Sequence, residues 1–229
     1  MRYVQADPMA ERTSSTRPTK RPPIESCRMF DTPLVERMSH IPPASPFLFW
    51  IPVLLGILVW ASLQGLGILP MVGLFAAGWL AWTLVEWLLH KYIFHYKGPR
   101  PWQRRIYFIA HGMHHDYPSD AERLVMPLGI SVPTGLVFFL LMAAMAPLPV
   151  ACMLFIGFGS GYLVYDGVHY FTHHMKAKSR LGKFLKKHHM VHHYTGVDGL
   201  YGVSTPLWDL LFGTMQDRDA KKQQAAPAE

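Results

Sequence analysis

Ionisable residues are scarce in this sequence, and they are missing from two long stretches of it. Only 16% of the residues are charged and 50% are hydrophobic, whereas about 25% charged residues is typical of a soluble domain. Residues 46–89 contain one ionisable acid, Glu86, and residues 124–165 contain no acid or base. Uncharged blocks of this length exclude a soluble globular fold and predict an integral membrane protein.

Cysteines and organised basic motifs are also lacking. The two cysteines lie in different contexts, Cys27 in a polar segment and Cys152 in an apolar run, so neither a disulfide framework nor a thiolate metal site is supported. The formal charge of +7 comes from basic residues that form no stripe interleaved with aromatic residues. We therefore expect no nucleic-acid partner and assign the basic residues to the membrane surface.

The uncharged blocks divide into four apolar runs, each long enough for a membrane-spanning helix. About 18 helical residues, rising roughly 1.5 Å each, cross most of a hydrocarbon core about 30 Å thick. Short turns around residues 64–70 and 146–148 join the runs in pairs. We predict an all-α fold with four transmembrane helices in two hairpins, and the runs are 46–63, 71–90, 124–145 and 148–169.

The two ends of the chain differ in composition from the apolar runs. Residues 1–45 are polar and proline-rich, so we expect a disordered arm, with ordered structure beginning near Ser45. This arm does not read as a signal peptide, because no apolar segment follows its first charges. Residues 46–215 are predicted to form the membrane domain. Residues 216–229 are polar and are expected to form a flexible tail.

The basic residues predict the orientation of the chain in the membrane. Seven lie in residues 1–45, six in 91–123 and nine in 175–229, which together are all 22 Lys and Arg residues. Because basic residues favour the cytoplasmic side, both termini and the central loop are predicted to be cytoplasmic. The histidine-rich segments then form a helical cap on the same side.

Histidine is the residue type present in excess. Twelve of the 13 histidines fall in four groups, within residues 90–95, 111–115, 169–174 and 188–193. The spacing i, i+3, i+4 in the second and fourth groups places three rings on one helical face. The first group is weaker evidence, since rings five residues apart in a regular helix point about 140° apart. They reach one centre only at a helix end or in a distorted helix.

Many imidazoles that converge on one place indicate a shared cation, because they repel one another when protonated. Ten rings exceed the coordination of one metal ion and suit two transition-metal ions. His174 and His188 adjoin ligands and are kept as additional candidates in a supporting or solvent-facing position, while His40 in the arm is taken as incidental. The predicted ligands are His90, His95, His111, His114, His115, His169, His173, His189, His192 and His193.

Two acids lie on the same helical faces as predicted ligands. Glu86 precedes His90 by one turn, and Asp166 precedes His169 by three residues. A buried carboxylate is costly without a partner, and a metal-bound histidine commonly donates its second N–H to such an acceptor. We predict this supporting role for both acids, and no catalytic residue beyond the metal ligands.

With their flanking residues, the four groups resemble the fatty acid hydroxylase and sterol desaturase superfamily of histidine-rich diiron membrane enzymes. The resemblance covers about residues 80–214 and is closest to the fatty acid 2-hydroxylases. It implies O2-dependent hydroxylation at C2 of a long acyl chain in a membrane lipid. It also implies two iron ions, with zinc in a resting or purified form, and O2 as cosubstrate. The matching segments are Glu86-Trp87, His90-Lys-Tyr-Ile-Phe-His95, His111-Gly-Met-His114-His115-Asp-Tyr-Pro118, Tyr165-Asp166, His169-Tyr-Phe-Thr-His173 and Lys187-His188-His189-Met-Val-His192-His193-Tyr194.

The source of electrons differs from the pattern of many eukaryotic relatives, which carry an N-terminal cytochrome b5 domain. This sequence contains no haem-binding His-Pro-Gly-Gly motif. The resemblance therefore implies a separate electron donor, either a cytochrome b5-like or a ferredoxin-type protein with its reductase.

Other functions remain open at this point. A sterol-type desaturase or a carotenoid hydroxylase would use nearly the same ligands and differ in its substrate pocket. A zinc peptidase of the membrane fits poorly, because no His-Glu-x-x-His motif is present and one zinc needs far fewer ligands. A non-enzymatic haem-binding or metal-transport bundle would place its ligands at mid-membrane positions, whereas these histidines gather at the predicted helix ends.

Overall fold

The computed structural model describes residues 26–195 and 198–215. Within these ranges the chain forms helices and connecting loops without any strand, so the predicted all-α class is confirmed for them. The short helices that follow α3 and α7 carry most of the histidines. In chain order the elements are α1 (Pro33–Met38), α2 (Ser45–Ser62), α3 (Ile68–Leu89), the π-helix π1 (His90–Phe94), α4 (Pro101–Tyr107), the π-helix π2 (Phe108–Gly112), α5 (Met113–Asp116), a 3-10 turn (Ala121–Arg123), α6 (Leu128–Met145), α7 (Leu148–His174), α8 (Arg180–Tyr194) and α9 (Leu207–Leu211).

Four helical segments are long and apolar enough to cross a membrane, in agreement with the four predicted runs. They are Ser45–Ser62, Ile68–Phe94, Ala121–Met145 and Leu148–His174. The fourth continues past its predicted end at His169, so that His173 and His174 belong to the same helix. The regular helical part of the third begins at Leu128, after a proline at residue 127.

Helix α7 is the central helix of the bundle. In its most apolar part, 61% is buried, compared with 17–22% in the corresponding parts of the other three spans. Helix α7 packs against α2, α3 and α6. Its contact with α3 depends on Gly78 and Gly157, where a Cβ atom would lie 2.0 Å from a backbone carbonyl oxygen of the opposing helix. Small residues permit such close packing of membrane helices. The arrangement of the spans as two hairpins stays a prediction.

The segment before α2 differs from the predicted disordered arm. Residues 26–44 include α1, and Glu36 on this helix accepts hydrogen bonds from the backbone N–H groups of Met29 and Phe30, both at 2.9 Å. Arg123 donates to Glu36 and to the Cys27 carbonyl. Buried partners therefore order this proline-rich stretch, and the expectation that order begins near Ser45 is wrong. Residues 1–25 and the predicted tail, 216–229, lie outside the described residues.

Candidate metal centre

The histidine side chains meet in two groups of five at the ends of α3 and α7. In each group the five ligand nitrogens all lie within 4.8 Å of one another. All ten predicted ligands are brought together, while His40, His174 and His188 lie outside both groups. The first group is His90, His95, His111, His115 and His192, and the second is His114, His169, His173, His189 and His193.

The first two ligands of the chain meet because the helix that carries them is distorted. Helix α3 ends at Leu89 and continues as π1. The i to i+5 hydrogen bonding of a π-helix brings residues five apart onto one side, whereas an α-helix separates them. His90 and His95 have this spacing, and their ring centroids lie 5.0 Å apart. The helix distortion that His90 and His95 need in order to reach one centre is therefore present.

Each of the two triplets contributes to both groups. On α8, His189 and His193 are one turn apart and join the second group, while His192 points to the first. In the segment from π2 to α5, His111 and His115 join the first group, while His114 joins the second. The predicted single face of three rings is thus divided between two neighbouring centres. The His115 and His193 rings, one from each group, stack with centroids 4.1 Å apart.

Several neighbouring ring nitrogens lie at distances that two ligands of one metal ion can have. The Nε2 atom of His111 lies 3.0 Å from that of His90 and 3.0 Å from that of His115. In the second group, His114 Nε2 lies 2.8 Å from His169 Nε2 and 3.1 Å from His193 Nε2. Two nitrogens bound at about 2.1 Å and at right angles to one ion are about 3.0 Å apart. Both groups are therefore compatible with a metal site.

Comparison with known proteins identifies the family. The model of the fatty acid hydroxylase family matches residues 75–214, which contain all ten clustered histidines. The chain belongs to the fatty acid hydroxylase family. This hydroxylase is 33% identical over 193 residues to a dihydroceramide fatty acyl 2-hydroxylase of Arabidopsis thaliana, covering 84% of this chain and 81% of that protein. Membership makes the chain an oxidoreductase of the hydroxylase type.

Other relatives agree with this assignment. The hydroxylase is 37% identical over 177 residues to the ceramide very long chain fatty acid hydroxylase of Saccharomyces cerevisiae, covering 75% of this chain and 45% of that protein. A solved structure of Scs7p, in which only the hydroxylase domain is visible, matches with a TM-score of 0.76 at 34% identity. That match covers 81% of this chain and 70% of the other.

A loop after α8 fixes the orientation of two ligands of the first group. The Nδ1–H of His90 donates to the Tyr201 carbonyl at 2.5 Å, and that of His192 donates to the Gly199 carbonyl at 2.8 Å. A proton held at Nδ1 leaves Nε2 as the free lone pair. The hydroxylase thus aims two of its Nε2 lone pairs with backbone carbonyls, which the sequence analysis did not anticipate.

The electrostatic environment also keeps these rings neutral. Burial, followed by repulsion from His192, lowers the pKa of His95 to about 4. The same two causes, with His95 as a further neighbour, lower the pKa of His115 to about 3. Burial is likewise the main cause that holds the pKa of His189 well below its ordinary value. At neutral pH these imidazoles are uncharged, so each has a ring nitrogen with a free lone pair that can bind a cation.

Glu86 supports the centre indirectly, which corrects its predicted hydrogen bond to a ligand. Its carboxylate accepts the backbone N–H groups of Val203 and Ser204, at 2.7 and 2.9 Å, together with the Ser204 hydroxyl. Glu86 therefore ties α3 to the same loop whose Tyr201 carbonyl orients His90. The i, i+4 spacing placed the acid near the ligand but did not reveal the intervening loop.

Asp166 does not accept a hydrogen bond from His169 in the described part of the chain. Its side chain is buried and lies beside the Tyr162 hydroxyl and the Met126 amide. His169 Nδ1 is buried without a partner among the described residues. The predicted direct contact between this acid and its neighbouring ligand is therefore wrong, because Asp166 turns toward the loop that precedes α6.

Asp209 is the buried acid whose supporting role the sequence analysis missed. It is fully buried and accepts the N–H groups of Tyr201 and Gly202, at 2.9 and 2.8 Å, and of the Trp87 indole at 3.1 Å. His188 Nε2 lies 3.1 Å from Asp209 Oδ2, the oxygen that also accepts the Gly202 N–H. Burial alone would raise the pKa of Asp209, but hydrogen bonds, led by that of His188, lower it. The acid stays ionised and connects α3, α8 and the loop.

An apolar groove lies between the membrane helices. Its empty space, including the part open to the outside, is about 450 Å³. Leu89, the neighbour of His90, lines one part, and Trp50, Gly135 and Phe155 line parts farther along the helices. The indole nitrogen of Trp82, which also lines the groove, is buried without a hydrogen-bond partner among the described residues.

Proposed function

We propose that this protein is a membrane-bound, O2-dependent lipid hydroxylase that adds a hydroxyl group at C2 of a long-chain fatty acyl group. The observation that carries the proposal is the pair of five-histidine groups in a chain of this family. The printed names of the relatives, a dihydroceramide fatty acyl 2-hydroxylase and a ceramide very long chain fatty acid hydroxylase, support a ceramide-type lipid as substrate.

The ten histidines would hold two iron ions, one in each group. Iron supplies redox chemistry with O2, which zinc cannot, although zinc fits the same nitrogen ligands in a resting form. The protein contributes neutral imidazoles, with His90 and His192 aimed by the carbonyls of Tyr201 and Gly199. Burial of the ligand rings limits access of water to the centre. The stacked His115 and His193 rings, one from each group, show that the two proposed sets of ligands are neighbours.

Hydroxylation also requires electrons from another molecule. Each turnover converts one C–H bond, one O2, two electrons and two protons into one C–OH group and one water. The described histidines and acids offer no redox-active organic group, so a separate electron donor, cytochrome b5-like or ferredoxin-type with its reductase, is part of the proposal.

The apolar groove is the proposed position of the acyl chain. Leu89, which lines one part of the groove, directly precedes the proposed ligand His90 in the chain. Ser131 and Phe138 on α6 both line the groove and are seven residues apart, which is about 10 Å at 1.5 Å per residue. An acyl chain held there would leave C2 near the metals. The basic residues support the cytoplasmic orientation of the termini and of the metal centre.

A desaturase or a carotenoid hydroxylase would use the same metal ligands, so the product decides between them. Lipids are extracted from a host that makes ceramides without 2-hydroxy acyl chains, with and without this gene. We expect acyl chains that gain one oxygen at C2 in cells with the gene, and no gain with His114→Ala. A loss of two hydrogens, or oxidation of an added sterol or carotenoid alone, would refute the proposal.

A further inference from the structure

A basic surface covers the N-terminal half of α8 and the loop before it. The sequence contains no Asp or Glu between Asp166 and Asp198, yet it places six basic residues within positions 176–187. One of them, Lys186, donates to the Met175 carbonyl at 2.8 Å. The other five are exposed. We name these five the α8 basic face: Lys176, Lys178, Arg180, Lys183 and Lys187.

The members of the α8 basic face that belong to the helix lie on the side away from its buried ligands His189 and His192. Lys183 and His192 are nine residues apart, which is about two and a half helical turns, so their side chains point in opposite directions. His189 and His192 are buried, whereas Lys183 and Lys187 are exposed. A molecule bound to this face is separated from the ligands by the thickness of one helix, about 10 Å.

The positive charges of this face are not neutralised by any acid in the described part of the chain. Among residues 26–195 and 198–215, no member of the α8 basic face forms an ion pair. Exposed apolar side chains, Leu181 at 67% and Phe184 at 43%, lie among the charges. A small apolar centre with a charged rim is typical of a protein interface, and unpaired charge of one sign attracts a partner of the other sign.

We propose that the α8 basic face binds an acidic one-electron carrier protein, which delivers the electrons for hydroxylation. The inference rests on the proposed function, because that reaction consumes two electrons per O2. A one-electron carrier therefore docks twice per turnover and is oxidised by one electron each time. Redox encounters commonly use small, charge-steered interfaces. An anionic lipid surface fits less well, because the buried side of α8 carries its histidines, and within residues 176–187 only Leu181 and Phe184 are exposed large apolar side chains.

The test compares charge reversals on this face with a matched pair elsewhere. The full chain is placed in nanodiscs of neutral phosphatidylcholine, and the probe is the soluble haem domain of a b5-type cytochrome with net negative charge. Lys183→Glu with Lys187→Glu is compared with Arg37→Glu with Arg100→Glu, which changes the net charge equally at exposed positions. Lys183→Gln with Lys187→Gln separates loss of attraction from repulsion.

We expect the Glu pair on α8 to weaken probe binding at low salt by at least about tenfold, with a similar fall in the rate at which the reduced probe reduces the metal centre. The Gln pair should show a smaller loss and the control pair less than about a twofold change. These differences should shrink at high salt, because salt screens exposed charges. The rate at which dithionite reduces the metal centre should be the same in all variants. This result would show that the variants are folded.

Equal probe binding by the two Glu pairs would overturn the proposal. Normal binding in neutral discs, with a defect of the α8 variant confined to discs that contain anionic lipid, would assign this face to the membrane surface and also overturn it. The proposed function would fail, independently of the docking site, if the protein supplied with electrons by dithionite hydroxylated no ceramide while probe binding stayed selective. Hydroxylation with dithionite and unselective probe binding would leave the function intact and remove the docking site.

Discussion

His90 and His95 are five residues apart, and the π-helical turn between them brings their rings to within 5.0 Å, centroid to centroid. A regular α-helix would turn the second ring about 140° away from the first. The turn is therefore a structural requirement of the first five-histidine group. Single π-helical turns are found frequently at functional sites, and π2, which ends at Gly112, carries His111 into the same group.

Replacing His95 should damage the centre, whereas replacing His174 should not. His95→Ala removes one of five nitrogens from the first group, while His174 lies outside both groups. We expect His95→Ala to lose hydroxylase activity and bound metal, and His174→Ala to retain most of both. Elemental analysis and acyl-chain mass measurements check this. Equal metal content and activity in the two variants would remove His95 from the site.

Asp209→Asn should weaken metal binding, although the Asp209 side chain contacts none of the ten predicted ligands. The change removes the charge that receives N–H groups from Tyr201, Gly202 and Trp87. Such supporting partners typically contribute about 10- to 100-fold in metal affinity or activity. Metal titration of the apoprotein should show a loss of this size. Asp31→Asn, at an exposed position, is the control, and an unchanged affinity in Asp209→Asn would contradict the supporting role.

Narrowing the apolar groove should change which acyl chains are hydroxylated. A Cβ atom at Gly135 would lie 2.8 Å from the Trp50 ring, whereas one at Gly129 on the same helix has nothing within 4 Å. We expect Gly135→Val to shift the product toward shorter acyl chains and Gly129→Val to leave the distribution unchanged. The chain lengths of 2-hydroxy products from a mixed lipid pool provide the measurement. Identical distributions would exclude the groove as the acyl-chain site.

The orientation of the chain is tested by labelling single cysteines. In a background with Cys27 and Cys152 changed to serine, cysteine is introduced at Gly67, Arg100 or Pro147. Because every basic residue flanks the predicted cytoplasmic side, position 100 should react only after the membrane is permeabilised. Positions 67 and 147 should react with an impermeant reagent from outside. Labelling of all three from one face would refute the predicted topology.

Most of the fold and the clustering of the ten histidines could be predicted because both depend on local patterns. Missing charge marked the four membrane helices, and i, i+3, i+4 spacing marked the histidine triplets. The choice between ligands and neighbours such as His188 followed from the 100° between successive helical residues. The division of each triplet between two groups was not predictable, since it depends on how α5, α7 and α8 are placed in three dimensions.

The supporting interactions were predicted less well, because they join residues far apart in the sequence. Glu86 and Ser204 are 118 residues apart, and no local spacing relates an acid on α3 to a loop after α8. Asp209 lies outside the four histidine groups, and its partners Trp87 and Tyr201 are not its neighbours in the sequence. The order of residues 26–44 was also missed, since composition does not reveal that Arg123 and Glu122 supply partners for this proline-rich stretch.

Metal content per chain tests the central claim most directly, when it is measured on variants that each lack two ligands of one group. Iron-supplemented wild-type protein should contain two metal ions per chain. His95→Ala with His115→Ala should retain the ion of the second group, and His173→Ala with His193→Ala should retain that of the first, so each should hold about one ion. One ion in the wild-type protein, or two ions in either double variant, would contradict a centre built from two groups of five histidines.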